Sequence, residues 1–420
     1  MQTEVKISTT SGTIKAPASK SCMQRALAIS LLTRGTSVIR NLSSCNDVNA
    51  ALSMTRSLGA AVEADNEKII ITGTGRPQPV TDIINCGESG LASRLFIPVA
   101  SLSEKKITIE GHGSLLSRRM DDFSTPLRSL GVEFLSASGF LPVTVQGPMK
   151  GGRTTVNGKM SSQFLSGLLI ALPVTGAESL VEVTGLESKP YVDITIDIMK
   201  MAGVNVINNN YSEFIIKGRQ EYHPFDYTVE GDWSGASVFL VMGAISGGIH
   251  IKGLNAYSSQ ADRRILDVIS ECGADLKVGG DEITVHSAEL RPFIFDASDA
   301  PDLVPALSVL ALGCNGRSVI NRIERLRVKE SDRVMSISEM VKAIGGSITE
   351  VNDSLIIEGG RKLSGGVVDS FNDHRIVMAA SAASLLCNNR ILIKGTESVN
   401  KSYPEFTDHL VRVGASVITN

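Results

Sequence analysis

Two cations stand where helix physics disfavours them. In Ala18-Ser19-Lys20-Ser21 and Asn372-Asp373-His374-Arg375, a turn of Ser, Asp and Asn opens an apolar run. The hydroxyls and carboxylates are ordinary N-caps, which accept backbone N–H groups and need no further role. Lys20 and Arg375 are different, because a cation in the first turn faces the positive end of the helix dipole. That placement costs a few tenths to about 1 kcal/mol. An anion held by both the cation and the free N–H groups removes the conflict. A small, negatively charged ligand is therefore expected at both turns.

A second basic set lies elsewhere. Arg118-Arg119 is expected to begin a helix, and Arg325-Leu326-Arg327-Val328-Lys329-Glu330-Ser331-Asp332-Arg333 packs six charges into nine residues. A charge run is ordinarily a solvated helix face. However, Lys329 and Arg333 are four apart, and on one helix they would share a face. Two cations stacked without an acid between them suit a carboxylate or phosphate clamp. Lys401 falls in a loop before the last helix.

Several chemistries are excluded. The six cysteines are scattered without a CxxC, and the six histidines show no HExxH, so no metal is expected. Gly111-His112-Gly113 lacks dinucleotide spacing, and neither a Walker loop nor a GxSxG elbow occurs. No cofactor is expected either. What remains is acid–base and electrostatic chemistry on a small, heavily charged substrate.

Composition narrows the partners. The 420 residues are 42% hydrophobic and 20% charged, ordinary for a globular chain. A net charge of −3 gives no basic field for nucleic acid or an anionic membrane, and 5% aromatics with a lone Trp233 give no stacking platform. The longest apolar stretches, near Leu165–Val174 and Ala236–Ile245, are too short to cross a bilayer. Met1 to Ser8 has no apolar signal core. A cytoplasmic monomer without nucleic-acid or membrane partners is expected.

The elements that must position these residues form a repeat. An apolar-periodic helix ends in glycine at Gly59, Gly131, Gly203, Gly273, Gly345 and Gly414, spaced 69 to 72 residues apart by subtraction. A strand hairpin follows, as at Lys68–Thr72, Phe214–Lys217, Glu282–His286 and Ser354–Glu358. The sixth copy has one strand after its glycine. Each copy also holds a short strand leading through a polar turn into a first helix. The expected order is strand, helix, strand, helix and two strands, six times. No terminal copy looks like a polar cap, and about seventy residues is long for a solenoid unit, so two groups of three copies are expected.

At these residues the chain resembles the enolpyruvyl transferase family, and within it the branch acting on shikimate 3-phosphate. The resemblance spans Lys20 to Lys401. It rests on Ser19-Lys20-Ser21 with Arg25, Ser161-Ser162-Gln163-Phe164-Leu165, Ser188-Lys189-Pro190-Tyr191, Arg327 to Arg333 and Asn372 to Arg375. It implies an α/β fold of the inside-out barrel type: two similar domains of three repeats each, with the active site in the inter-domain cleft. Residues 17–228 would form one domain, and 1–16 with 229–420 the other, closed by the N-terminal strand. The implied reaction transfers the enolpyruvyl group of phosphoenolpyruvate to the 5-hydroxyl of shikimate 3-phosphate, a step toward chorismate and aromatic amino acids.

The resemblance also implies roles. Lys20, Ser21, Arg25, Ser161, Ser162, Gln163, Ser188, Asp302 and Lys329 would contact shikimate 3-phosphate. Lys20, Gly90, Arg118, Gln163, Arg333, Arg375 and Lys401 would hold phosphoenolpyruvate. Asp302 would take the 5-hydroxyl proton, while Glu330 and Lys20 would manage protons at the enolpyruvyl carbon and the departing phosphate. Two departures stand out. Glu88-Ser89-Gly90-Leu91 replaces Asn-Ser/Ala-Gly-Thr, so Glu88 and Leu91 are left out of the site, and Arg325-Leu326 replaces Asn-Trp. The branch acting on UDP-N-acetylglucosamine typically has Lys-Asn where this chain has Lys20-Ser21, and a Cys in the loop at Gly111–Ser117. A non-catalytic phosphometabolite-binding relative should have lost Asp302 or Glu330.

Overall fold

The structure, a computed structural model, describes Met1–Thr419. The chain divides into two compact units, one of Ala18–Val229 and one of Met1–Pro17 with Glu230–Asn420. Each unit holds three four-stranded sheets.

Every sheet has one plan. In the sheet that includes Ile83–Asn85, that strand runs parallel to Ile107–Glu110, which pairs antiparallel with Phe140–Gln146, and Glu133–Ala137 closes the edge. In this sheet a βα connection makes the parallel pair and a hairpin joins Glu133–Ala137 to Phe140–Gln146, so the local sequence order prescribes both pairings. The glycines that punctuate the repeat have φ between 80° and 106°, at Gly59, Gly131, Gly203, Gly273, Gly345 and Gly414. Only glycine adopts that region without strain, which ends each helix where its hairpin must begin.

Three sheets are built from chain segments far apart in sequence. Thr10–Lys15 leads into the helix Lys20–Leu31 but pairs in parallel with Gly247–Lys252. Asp226–Thr228 leads toward the helix Trp233–Ile245 but pairs with Arg34–Arg40. The strand wanting in the sixth copy is Gln2–Lys6, which lies between Ile391–Lys394 and Ser416–Thr419.

The first helix of each copy is the core. Lys20–Leu31, Gly90–Ala100 and Gln163–Ala171 pack together in one unit, and Trp233–Ile245, Val304–Gly313 and His374–Ala383 in the other. They are buried nearly all round, as every residue of Gly90–Ala100 is, and all but Ile245 of Trp233–Ile245. At about 25 cal/mol per Å² of apolar surface, such helices drive the collapse of each unit. The second helices pack outside them and show one apolar face, as Lys189–Met201 does with Val192, Ile194, Thr195, Ile198 and Met199 buried. Among the described residues, no helix is long and apolar enough to cross a membrane.

Candidate active site

The polar residues of the unit Ala18–Val229 gather at the first turns of its buried helices. Ser19 caps the helix Lys20–Leu31, and Ser89 caps Gly90–Ala100 while its Oγ donates to Gln24 Oε1 at 3.3 Å. Lys20 opens its helix, and its Nζ lies 2.8 Å from Asp47 Oδ2. One turn on, Arg25 is fully buried. Its Nε donates to Thr195 Oγ1 at 2.7 Å, Nη1 to the Ser21 carbonyl at 2.8 Å and Nη2 to the Tyr191 carbonyl at 3.1 Å. Burial pulls the Arg25 guanidinium down to about 10. Arg25 thus ties the first turn of its helix to the helix that Ser188 opens. Ser188 is buried and holds a left-handed φ of 56°, a conformation that turns the chain into that helix.

Arg94 is the residue that the sequence reading missed in this unit. It is the one charged residue of a buried helix, stacks 4.9 Å above the Phe164 ring, and donates to Gln163 Oε1 at 2.9 Å and to the Arg119 carbonyl at 3.2 Å. It therefore orients Gln163 and the Arg118–Arg119 segment at once. A lone arginine in the run Gly90–Ala100 was the available signal. Ser161 Oγ accepts the Gln163 amide at 3.2 Å, and Ser162 is the N-terminal neighbour of the helix Gln163–Ala171.

Arg118 does not begin a helix. It follows a short 3-10 turn, Gly113–Ser117, in extended conformation. Its guanidinium occupies the space a side chain at Gly90 would need, since a Cβ there would stand 2.5 Å from Arg118 Nη1. The first turn of the Gly90 helix and the Arg118 cation are thereby placed together, as an anion site requires.

The unit containing Glu230–Asn420 gathers a different set around one carboxylate. Asp302 lies in the 3-10 turn Pro301–Leu303 that opens the helix Val304–Gly313. It does not act as a helix cap. Its Oδ1 takes Arg333 Nη1 at 2.5 Å and Lys329 Nζ at 3.4 Å, and its Oδ2 lies 3.5 Å from Arg375 Nη2. Burial raises the Asp302 pKa, but Arg375, Lys329 and Arg333 together outweigh it and hold the carboxyl well below the usual range. Arg333 is itself 1% exposed and also binds Glu330 Oε2 at 2.5 Å and Asp373 Oδ2 at 2.8 Å. Three carboxylates on one buried guanidinium leave it permanently charged.

Lys329 and Arg333 do not share a helical face. Lys329 follows the 3-10 turn Glu324–Val328 in extended conformation, and the helix begins at Arg333 with Asp332 as its cap. An acid from another repeat, Asp302, brings the two cations together. Burial is the main effect on Lys329 and, with Arg333 and Arg325 nearby, lowers its ammonium to about 8 despite Asp302 and Glu330. Arg325, in one of the two departures from the family pattern, donates to the Ser298 carbonyl at 2.9 Å and is buried.

Arg375 sits in the first turn of His374–Ala383, whose cap Asp373 accepts the Arg375 amide at 3.0 Å. Lys401, within the 3-10 turn Thr396–Lys401, donates to the Asn372 carbonyl at 2.9 Å. Asn372 exposes that carbonyl through a left-handed φ of 57°. Asp262 is a further buried acid that the sequence reading passed over. Burial pushes it up to about 6, reinforced by Asp302 and opposed by Arg375. Nothing in the run Gln260-Ala261-Asp262-Arg263 distinguishes it from a surface acid. Among the described residues no group of His, Cys, Asp and Glu is arranged to hold a metal ion.

Comparison with known proteins covers almost the whole chain. The sequence model of the EPSP synthase (3-phosphoshikimate 1-carboxyvinyltransferase) family matches residues 5–410. The 3-phosphoshikimate 1-carboxyvinyltransferase of Clostridium novyi is 39% identical over 416 residues, covering 97% of this chain and 96% of that one. Its namesake from Clostridium kluyveri is 39% identical over 407 residues, with the same coverage. Among solved structures, the EPSP synthase of Acinetobacter baumannii superposes with a TM-score of 0.85 at 26% identity over all of both chains. The enolpyruvyl transferase NikO of Streptomyces tendae shares the fold, with a TM-score of 0.80 at 18% identity over 99% of this chain and 98% of that one. A match running nearly end to end, on a chain whose repeat presents Lys20, Arg333 and Arg375 at helix starts, establishes that it belongs to the EPSP synthase (3-phosphoshikimate 1-carboxyvinyltransferase) family.

Proposed function

We propose that the two sets of side chains serve the reaction of this family: the enolpyruvyl group of phosphoenolpyruvate passes to the 5-hydroxyl of shikimate 3-phosphate, and phosphate leaves. The observation that carries this reading is Asp302, an ionised carboxylate held among Arg333, Lys329 and Arg375. Both substrates are polyanions, and a base must work beside them without being displaced.

The cations around Asp302 set when it can act. In the free protein they keep it ionised and weakly basic. A substrate carboxylate or phosphate that engages Arg333, Arg375 or Lys329 draws off their charge, and burial, which favours the protonated form, then dominates. Asp302 becomes a competent base once the anions are bound. It takes the 5-hydroxyl proton as the oxygen attacks C2 of phosphoenolpyruvate, and a proton delivered to C3 converts the methylene to a methyl group. The tetrahedral adduct then loses phosphate and one methyl proton, restoring the double bond. Glu330 and Lys20 serve those proton transfers at C3 and at the phosphate.

The remaining assignments follow the anions. Shikimate 3-phosphate is held by Lys20, Ser21, Arg25, Ser161, Ser162, Gln163, Ser188, Asp302 and Lys329. Phosphoenolpyruvate is held by Lys20, Gly90, Arg118, Gln163, Arg333, Arg375 and Lys401. Fixed cations aimed at the developing charge supply electrostatic catalysis. On the same reading the enzyme is a cytoplasmic monomer needing no cofactor; its net charge of −3 supports the absence of nucleic-acid and membrane partners, and its scattered cysteines support a reducing compartment. The test is turnover with both substrates, read as released phosphate. A folded chain that frees no phosphate would overturn the reading.

A further inference from the structure

Glu88 is an acid two residues before Gly90, in the turn that opens a helix beside Arg118. Its carboxylate has a definite task. Oε2 accepts the Ser114 amide at 3.0 Å and the Ser114 hydroxyl at 3.1 Å. The carboxyl group also fills the space above Gly113, where a Cβ would stand 2.3 Å from Glu88 Cδ. Gly113 has φ 60°, so it is a glycine for backbone and for space alike.

Those contacts fix the beginning of the turn Gly113–Ser117, and the end of that turn is Arg118. The Arg118 amide closes it on the Leu115 carbonyl at 3.1 Å, and the guanidinium then comes to rest over Gly90. One short segment, Glu88 to Gly90, therefore holds the start of the turn and receives its end. We infer that Glu88 is a positioning residue: its carboxylate anchors the Gly113–Ser117 turn and thereby aims the Arg118 guanidinium at the anion bound beside Gly90. The inference rests on the reading of Arg118 as a phosphoenolpyruvate ligand. Charge-assisted bonds to Ser114 are strong enough to hold a five-residue turn, and a misaimed guanidinium loses its bidentate grip.

The test compares steady-state kinetics of wild type, Glu88→Ala, Glu88→Gln, Ser114→Ala, Arg118→Ala and the Glu88→Ala/Arg118→Ala double variant. Glu88→Ala should raise KM for phosphoenolpyruvate about tenfold, the scale of one charge-assisted hydrogen bond, and leave KM for shikimate 3-phosphate within about twofold. Glu88→Gln keeps an acceptor oxygen for Ser114 and should recover most of the loss. The double variant should be no worse than Arg118→Ala, because Glu88 acts through Arg118. If Glu88→Ala does not fold, Ser114→Ala removes one of the two bonds and should raise the same KM about threefold. A wild-type KM in Glu88→Ala or, where that variant does not fold, in Ser114→Ala, beside a raised KM in Arg118→Ala, would overturn the inference, as would effects that multiply in the double variant. An unchanged KM in Arg118→Ala would remove the assignment of Arg118, and this inference with it, while phosphate release by wild type still supports the reaction.

Discussion

Binding of shikimate 3-phosphate should draw a proton onto Lys329. Its side chain is 18% exposed, and burial lowers its pKa from 10.5 to about 8. At 1.36 kcal/mol per unit this corresponds to roughly 3 kcal/mol of disfavoured charge in the free enzyme. The sign is that of a buried lysine. The cost is present while the ammonium is charged, below pH 8, and disappears as pH rises from 8 through 10.5. A bound dianion stabilises the ammonium and returns its pKa toward 10.5. Near pH 8 about half the Lys329 side chains are neutral, so saturation should take up about half a proton per enzyme, falling to about a tenth near pH 7. Calorimetric titration at both pH values, in buffers of different ionisation enthalpy, reads that number directly. Lys329→Met removes the group and should abolish the pH-dependent part of the uptake. Equal uptake by wild type and Lys329→Met near pH 8 would refute the reasoning.

Other outcomes follow from the same geometry. Asp302→Asn should lower turnover by about a hundredfold or more with little effect on shikimate 3-phosphate affinity, since it removes a base, keeps an amide at the contact and leaves three cations for the ligand; equilibrium titration beside phosphate-release rates separates the two effects. Gly90→Ala puts a Cβ where Arg118 lies, 2.5 Å from Nη1, so KM for phosphoenolpyruvate should rise about tenfold while KM for shikimate 3-phosphate stays near wild type. Turnover should survive EDTA, because Lys and Arg supply the positive charge that the substrates need; activity lost in chelator and restored by one divalent ion would contradict this.

The sequence by itself determined whatever depends on neighbours along the chain. Apolar periodicity marked the helices, and glycine's tolerance of positive φ marked their ends at Gly59 through Gly414. The conflict between a cation and the helix dipole singled out Lys20 and Arg375 without reference to any fold. Local rules misplaced the other cations. Lys329 and Arg333 read as an i, i+4 pair, yet the helix begins at Arg333, because Asp332 caps it there. Arg118 read as a helix start and instead ends a 3-10 turn. What only the tertiary structure decided is which charges meet: Asp47 with Lys20, Asp302 with Lys329, Arg333 and Arg375, Arg94 with Gln163, and Glu88 with Ser114. It also decided that Thr10–Lys15 pairs with Gly247–Lys252, more than two hundred residues away. The physical reason is the range of the forces. Caps and turns are chosen within about four residues of chain, whereas a charge removed from water takes the partner that packing sets beside it, however far away along the sequence.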